Sequence, residues 1–273
     1  MTTITVPTIA APAASRHRLR WTVADTVTIT WRNLVAITRI PEALFFSTLQ
    51  PIMFVLLFRY VFGGAIPIPG GVPYVDYMMP GIFVQTMLFG SVGTAVGLSE
   101  DLQKGLIERF RALPMARSAV LAGRTSADAV RNVFVMIIMT GVAYAVGFRI
   151  GAGVPDYLLG ALLILAFAYA ISWGFAAVGL AAPNSETAQV MVFPILMPLT
   201  FASTAFVPIQ SMPGWLQAFA RVQPVSVVID GARSLMVGGY YHSPRSVGFA
   251  LLWIVGLLIA LVPLGVRKYR QID

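Results

Sequence analysis

The residues able to do covalent chemistry in this chain are few and poorly spaced for it. Its two lysines, Lys104 and Lys268, follow Gln103 and Arg267, so the sequence holds no GxxxxGK[ST] loop, whose amides cradle phosphate while its lysine reaches the terminal phosphates. Hydrolysis of a nucleotide by that mechanism is excluded. HExxH and GxSxG do not occur, and the only imidazoles, His17 and His242, are far apart in sequence, which argues against a zinc site or a catalytic triad. Cysteine is absent, removing thiolate ligands and disulfides together. No metal, no cofactor and no catalytic residue is therefore expected in this chain.

The elements that would have to position any site are set by composition. The chain has 273 residues, 58% hydrophobic and only 11% charged, and its mean hydropathy is +0.80. A soluble domain carries roughly a quarter charged residues, so these residues cannot make a water-facing surface. The expectation is an all-α polytopic membrane protein. The formal charge of +8 does not imply a nucleic-acid partner, because the basic residues flank apolar segments instead of clustering among polar ones. Residues 1–20 read as a disordered cytosolic tail, since their basic residues follow the weakly apolar part where a leader peptide has them first.

Apolar runs predict six spans, at about residues 43–62, 77–98, 132–148, 157–182, 190–208 and 247–266, within a single membrane domain covering 21–270. With both termini in the cytosol, fourteen of the 19 basic residues lie inside, leaving Arg59, Arg149, Arg221, Arg233 and Arg245 outside. On this reading Asp25, Glu42, Asp76, Glu100, Asp101, Glu108, Asp128, Asp156, Glu186 and Asp230 all fall at span ends or in connections. Ion coupling and lipid-carrier chemistry usually place ionisable groups within the membrane or close to one of its faces. A lipid-modifying enzyme and an ion-coupled secondary transporter are the alternatives. The first requires turnover by the purified chain, the second uptake driven by an ion gradient.

Three connections carry more information. From Trp21 to Arg39, Trp21, Ala24, Val27, Trp31, Leu34, Val35 and Thr38 recur near helical spacing, predicting an amphipathic helix on the inner leaflet, with a plain cytosolic helix as the alternative. In the connection after the second span, Leu102, Leu106, Ile107, Phe110 and Leu113 form one face of a helix over about 100–113 that Pro114 stops, with Glu100 and Lys104 in favourable i,i+4 order. Such a helix can dock in a partner's groove or lie on the lipid surface, and periodicity does not decide between them. On the outer side, the stretch around QSMPGWLQAFARVQP predicts short helices broken at Pro213, Gly214 and Pro224 that dip into the outer leaflet, or else an ordinary loop.

Taken in order, GLIERFRALPMARSAVLAGR after the second span, NSETAQ before the fifth and FVPIQSMPGWLQAFARVQPVSVVIDGARSLMVGG before the sixth resemble the ABC type-2 exporter permeases, especially the membrane subunits of daunorubicin- and multidrug-resistance-type exporters. The resemblance runs from about Trp21 to Arg270. It implies a dimer of permeases, here a second and identical chain, each seated on a cytosolic ATPase that binds ATP and magnesium. It further implies that Leu106, Ile107, Phe110 and Leu113 fill a groove of that ATPase while Glu108, Arg109 and Arg111 pair with its rim. Asn184 and Glu186 match the family's Asn-x-Glu pattern, and Glu186 either organises a second contact or serves the start of a helix near Ser185. Gln50, Gln85, Thr86, Met87, Thr200, Ser203 and Thr204 are candidates for a substrate path, although uncharged polar groups in spans more often bond across helices. The expected cargo is amphipathic, drug-like or lipid-like, with bilayer lipids as the surroundings.

Overall fold

The computed structural model of the chain describes residues 17–39, 41–106 and 117–271. Among the described residues the chain is all helix and turn. Nine α-helices are named here in chain order: α1 His17–Thr38, α2 Pro41–Leu56, α3 Tyr74–Gln103, α4 Arg117–Ala145, α5 Val154–Ala181, α6 Ser185–Phe201, α7 Gly214–Val222, α8 Pro224–Met236 and α9 Pro244–Arg270. A π-helical stretch, Leu57–Phe62, continues α2.

The centre of the bundle is α3, whose 30 residues are buried along most of their length. At 1.5 Å per residue it is about 45 Å long, more than the roughly 30 Å of bilayer hydrocarbon. Helix α5 lies against it and is apolar all round, as a helix surrounded by protein and lipid must be. Small residues permit the approach: a Cβ on Gly179 of α5 would fall 2.3 Å from the Ala95 carbonyl oxygen of α3. Nearby, Ser172 Oγ donates to Ser91 Oγ at 3.2 Å, one of the interhelical polar links common in membrane bundles. Helix α9 closes the chain along one flank, with only 11% of its apolar window buried, leaving Leu252, Val255 and Ile259 exposed.

Four helices, in α3, α4, α5 and α9, are long and apolar enough to cross a membrane among the described residues. These correspond to four of the six expected spans. The other two are shorter. The first expected span is α2 with its π-helical continuation, in which the described apolar run is Thr48–Phe62. The fifth was expected to run to Pro208 but stops at Phe201 after 17 residues, about 25 Å. Pro194 and Pro198 remove amide donors from its ladder, and Gln223 Nε2 donates to the Leu199 and Ala202 carbonyls at 3.1 and 2.9 Å, satisfying the helix end from outside. The third expected span also differs: α4 begins fifteen residues earlier than expected, so that Arg124, Asp128 and Arg131 are helical.

Helix α1 packs on α4. Gly123 makes the contact close, since a Cβ there would sit 2.6 Å from Ile29 Cγ2, and Thr30 Oγ1 donates to the Gly123 carbonyl at 3.2 Å. The bundle-facing side thus holds Ile29 and Asn33, while Val23, Val27 and Trp31 are exposed on the other. The stretch expected on the outer side forms α7 and α8, broken at Pro213 and Pro224 as their residue types predict, and α8 is largely buried between α5 and α9.

Candidate functional site

A cavity of about 220 Å³ opens between α2, α3, α4 and α6. Each wall presents residues one helical turn apart: Gln50 and Phe54 from α2, Gln85 and Phe89 from α3, Gln189 and Phe193 from α6, with Thr86 beside Gln85. Helix α4 contributes Arg131, Asn132 and Val135. The lining alternates amide and aromatic side chains, and Phe89 meets Phe193 edge to face at 6.4 Å. Such a wall can take an apolar body and hydrogen-bond its polar substituents.

The charged lining residue is Arg131, and glycines of α3 seat it. A Cβ on Gly90 would lie 2.9 Å from Arg131 Nη2, and one on Gly93 would lie 3.1 Å from Nη1, so the guanidinium rests flat where α3 has no side chains. It donates to the Gly90 carbonyl and, at 3.2 Å, to Asn132 Oδ1. Two helical turns nearer the start of α4, Arg124 occupies the space over Gly97 and donates to the Gly93 carbonyl at 3.1 Å. Carboxylates complete the row. Asp128 accepts the Thr94 hydroxyl and lies 4.0 Å from Arg131, while Asp101 lies 3.8 Å from Arg124 and 3.4 Å from Arg32 of α1. Helices α1, α3 and α4 are thus joined by one polar row ending at the cavity wall.

The ABC-2 type transporter family model matches residues 24–237. This chain belongs to that family. It is 34% identical over 261 residues to the daunorubicin resistance ABC transporter permease protein DrrB1 of Streptomyces coeruleorubidus, covering 95% of this chain and 90% of that protein. It is 29% identical over 259 residues to a probable doxorubicin resistance ABC transporter permease protein, DrrC, of Mycobacterium tuberculosis, covering 94% and 92%. A putative transport permease, ycf38, of Pyropia yezoensis is 24% identical over 209 residues, with 75% and 71% covered.

In this ABC-2 permease the cavity gathers three of the residues proposed for a path, Gln50, Gln85 and Thr86. Met87, on the opposite side of α3, is packed in the core. Thr200, Ser203 and Thr204 do not reach the cavity; all three are buried at the end of α6 and the turn after it. There Thr204 joins a second polar cluster, in which Arg233 Nη2 donates to its carbonyl at 2.8 Å, Arg233 Nε to the Tyr77 carbonyl at 3.0 Å and Nη1 to Asp230 Oδ1 at 2.6 Å. The guanidinium also stacks 3.8 Å from the centre of the Tyr77 ring. Arg233, one of the five basic residues expected on the outer side, is 2% exposed and ties α8 to α3 and the α6 turn.

The connections after α3 and before α6 are placed in part. Glu100 to Gln103 belong to α3 and not to a separate helix, because Gly105, at φ +64°, ends α3 one residue after Lys104. The Glu100–Lys104 pair forms at 3.1 Å. Leu102 packs with the apolar cluster around Ile29, Leu121 and Tyr269, and Leu106 follows the break at Gly105. Ile107, Glu108, Arg109, Phe110, Arg111 and Leu113 lie outside the described residues. In the turn between α5 and α6, Asn184 Oδ1 accepts from Thr187 N at 2.7 Å and caps α6. Glu186 is exposed in the first turn of that helix, where its charge suits the helix dipole. Gln103 Nε2 donates to the Pro183 carbonyl at 3.4 Å, bringing the end of α3 and the α5–α6 turn together.

Sequence reasoning missed Arg131, Asn132 and Gln189 at the cavity. Charge asymmetry groups Arg131 with the basic residues flanking the spans and says nothing of a cavity. A signal was present: Gly90, Gly93 and Gly97 recur at i, i+3 and i+7 on α3, and Arg124 and Arg131 recur at i and i+7 on α4. A row of missing side chains on one helix matched to two long cationic ones on its neighbour is the pattern of a seated guanidinium pair.

Proposed function

We propose that this chain is the membrane subunit of an ATP-driven exporter, crossing the membrane six times with both termini in the cytosol. It pairs with a second, identical chain and rests on a separate ATPase, which binds ATP and magnesium and carries out the hydrolysis. The cargo is an amphipathic drug-like or lipid-like molecule taken from the cytosol or inner leaflet. The amide-and-aromatic cavity between α2, α3, α4 and α6 carries this reading, because its walls suit a molecule with both an apolar body and polar substituents. Family membership and the resistance permeases among its relatives support the exporter class.

In this scheme the segment from Leu106 to Leu113 docks on the ATPase, with Glu186 beside it. The Gln103–Pro183 contact would let both inner turns move together. The row from Arg32 through Asp101 and Arg124 to Arg131 then links that movement to the cavity wall. Helix α1 lies on the inner leaflet with Val23, Val27 and Trp31 toward lipid, and α7 and α8 dip into the outer leaflet.

The test is to isolate the chain from native membranes in mild detergent, identify its companions and assay ATP hydrolysis. A near-stoichiometric P-loop ATPase is expected. Phe110→Asp should abolish substrate-stimulated hydrolysis while membrane insertion is unchanged. Recovery of the chain alone under conditions that preserve known complexes, or normal coupled transport by the Phe110→Asp variant, would overturn the corresponding part of the reading.

A further inference from the structure

Taking the cavity as the substrate path, we infer that it selects amphiphiles carrying an acidic group, a carboxylate or phosphate, and disfavours otherwise identical cations. The inference rests on the exporter reading for the site and goes beyond it in naming the charge of the cargo.

The polar row holds three arginines, Arg32, Arg124 and Arg131, against two aspartates, Asp101 and Asp128. Asp101 faces two of the cations, at 3.4 and 3.8 Å, and both of those lie away from the cavity. Asp128 is nearly fully buried, is engaged by the Thr94 hydroxyl, and stands 4.0 Å from Arg131, beyond hydrogen-bond distance. The row's one positive charge in excess therefore sits around Asp101, with Arg32 and Arg124, while Arg131 has Asp128 as its counter-ion and is the one member of the row that lines the cavity.

Hydrogen bonding points the same way. A guanidinium has five N–H donors. Arg131 uses Nη2 on the Gly90 carbonyl and Asn132 Oδ1, and its side chain is only 15% exposed, so water solvates little of the charge. Among the described residues the cavity lining contains no carboxylate. An acidic group entering beside Arg131 would meet a planar cation already fixed in orientation, with the Gln50, Gln85 and Gln189 amides as further donors. A cationic group would meet like charge in a poorly solvated site.

The test uses the permease with its co-purified ATPase in phosphatidylcholine nanodiscs and three pyrene probes bearing a butyrate, a butanol or a butylamine tail. Binding is read by fluorescence anisotropy against empty nanodiscs, and stimulation of ATP hydrolysis is read in parallel. Butyrate should bind about tenfold more tightly than butanol, with butylamine weakest. Arg131→Gln should erase the difference between butyrate and butanol. Gln189, exposed on the far wall, provides variants that leave the arginine in place: Gln189→Lys should strengthen the preference for butyrate, and Gln189→Glu should weaken or reverse it.

Equal binding of butyrate and butanol by the unmodified protein would overturn the inference, as would tightest binding of butylamine or indifference to both Gln189 changes. Repeating the assay with phosphatidylglycerol in the disc separates two sources of the anion. Competition by that lipid identifies a phospholipid headgroup as the acidic cargo, and undiminished butyrate binding identifies a free amphiphile. If butylamine stimulates the bound ATPase and butyrate does not, this inference falls and the exporter reading stands. If the charge preference holds but no ATPase accompanies the chain, the exporter reading falls and the site remains.

Discussion

Replacing Arg233 with leucine tests whether the outer helices are held by the buried cluster at the end of α6. The side chain makes three hydrogen bonds, to the Tyr77 carbonyl, the Thr204 carbonyl and Asp230, and stacks on the Tyr77 ring. Leucine fills much of the volume but donates nothing. The Thr204 carbonyl keeps the Tyr77 hydroxyl at 3.1 Å, so its loss is partial, whereas the Tyr77 carbonyl loses a charged donor outright. Hydrogen bonds to a charged group contribute about 1.5–3 kcal/mol each, and one such loss with one partial loss comes to about 3 kcal/mol. The Asp230 pair adds little, about 1 kcal/mol at most, because that side chain remains 43% exposed and is screened. For a domain of this size each kcal/mol shifts the melting temperature by about 2–4 °C, so the expected loss is about 6–12 °C. The assay is thermal unfolding of the detergent-solubilised protein at one fixed scan rate, followed by the monodisperse fraction remaining. Arg233→Lys, which keeps the charge but not the planar fork, should fall between the two. A shift below about 2 °C for Arg233→Leu would refute the claim that this cluster anchors α8.

Two further pairs of substitutions probe helix packing and capping. Gly179→Val should destabilise by about 1–3 kcal/mol or more, since the added Cβ meets backbone 2.3 Å away on α3, whereas Gly256→Ala, where nothing lies within 4 Å, should be near neutral; melting temperatures of the pair decide it. Asn184→Ala should lose about 1 kcal/mol with the α6 cap, and Asn184→Asp should retain it; the same thermal assay applies, and equal loss in both would refute a capping role.

Much of the frame was legible before any coordinates. Pro213 and Pro224 mark the starts of α7 and α8, and Glu186 marks a helix start near Ser185, although the side chain that caps α6 is Asn184. The end of α6 was misjudged because hydropathy continues through Ala205, Phe206 and Val207, which are buried in a turn. An apolar residue reads alike in a helix or a buried turn. The connection helix was drawn too early for a related reason: Leu102 and Leu106 are four residues apart, but periodicity cannot see that Gly105 interrupts the chain between them.

The sequence alone determined that this protein lives in a membrane, that it lacks a phosphate-binding loop, and which permease family it resembles, because composition and short motifs are properties of the chain itself. Only the tertiary structure decided which polar residues share a cavity. Gln50, Gln85, Arg131 and Gln189 come from four helices, and their meeting depends on the rotation of each helix about its axis. That rotation is set by close contacts such as Arg131 over Gly90 and Gly179 on Ala95, which exist only once the helices have packed.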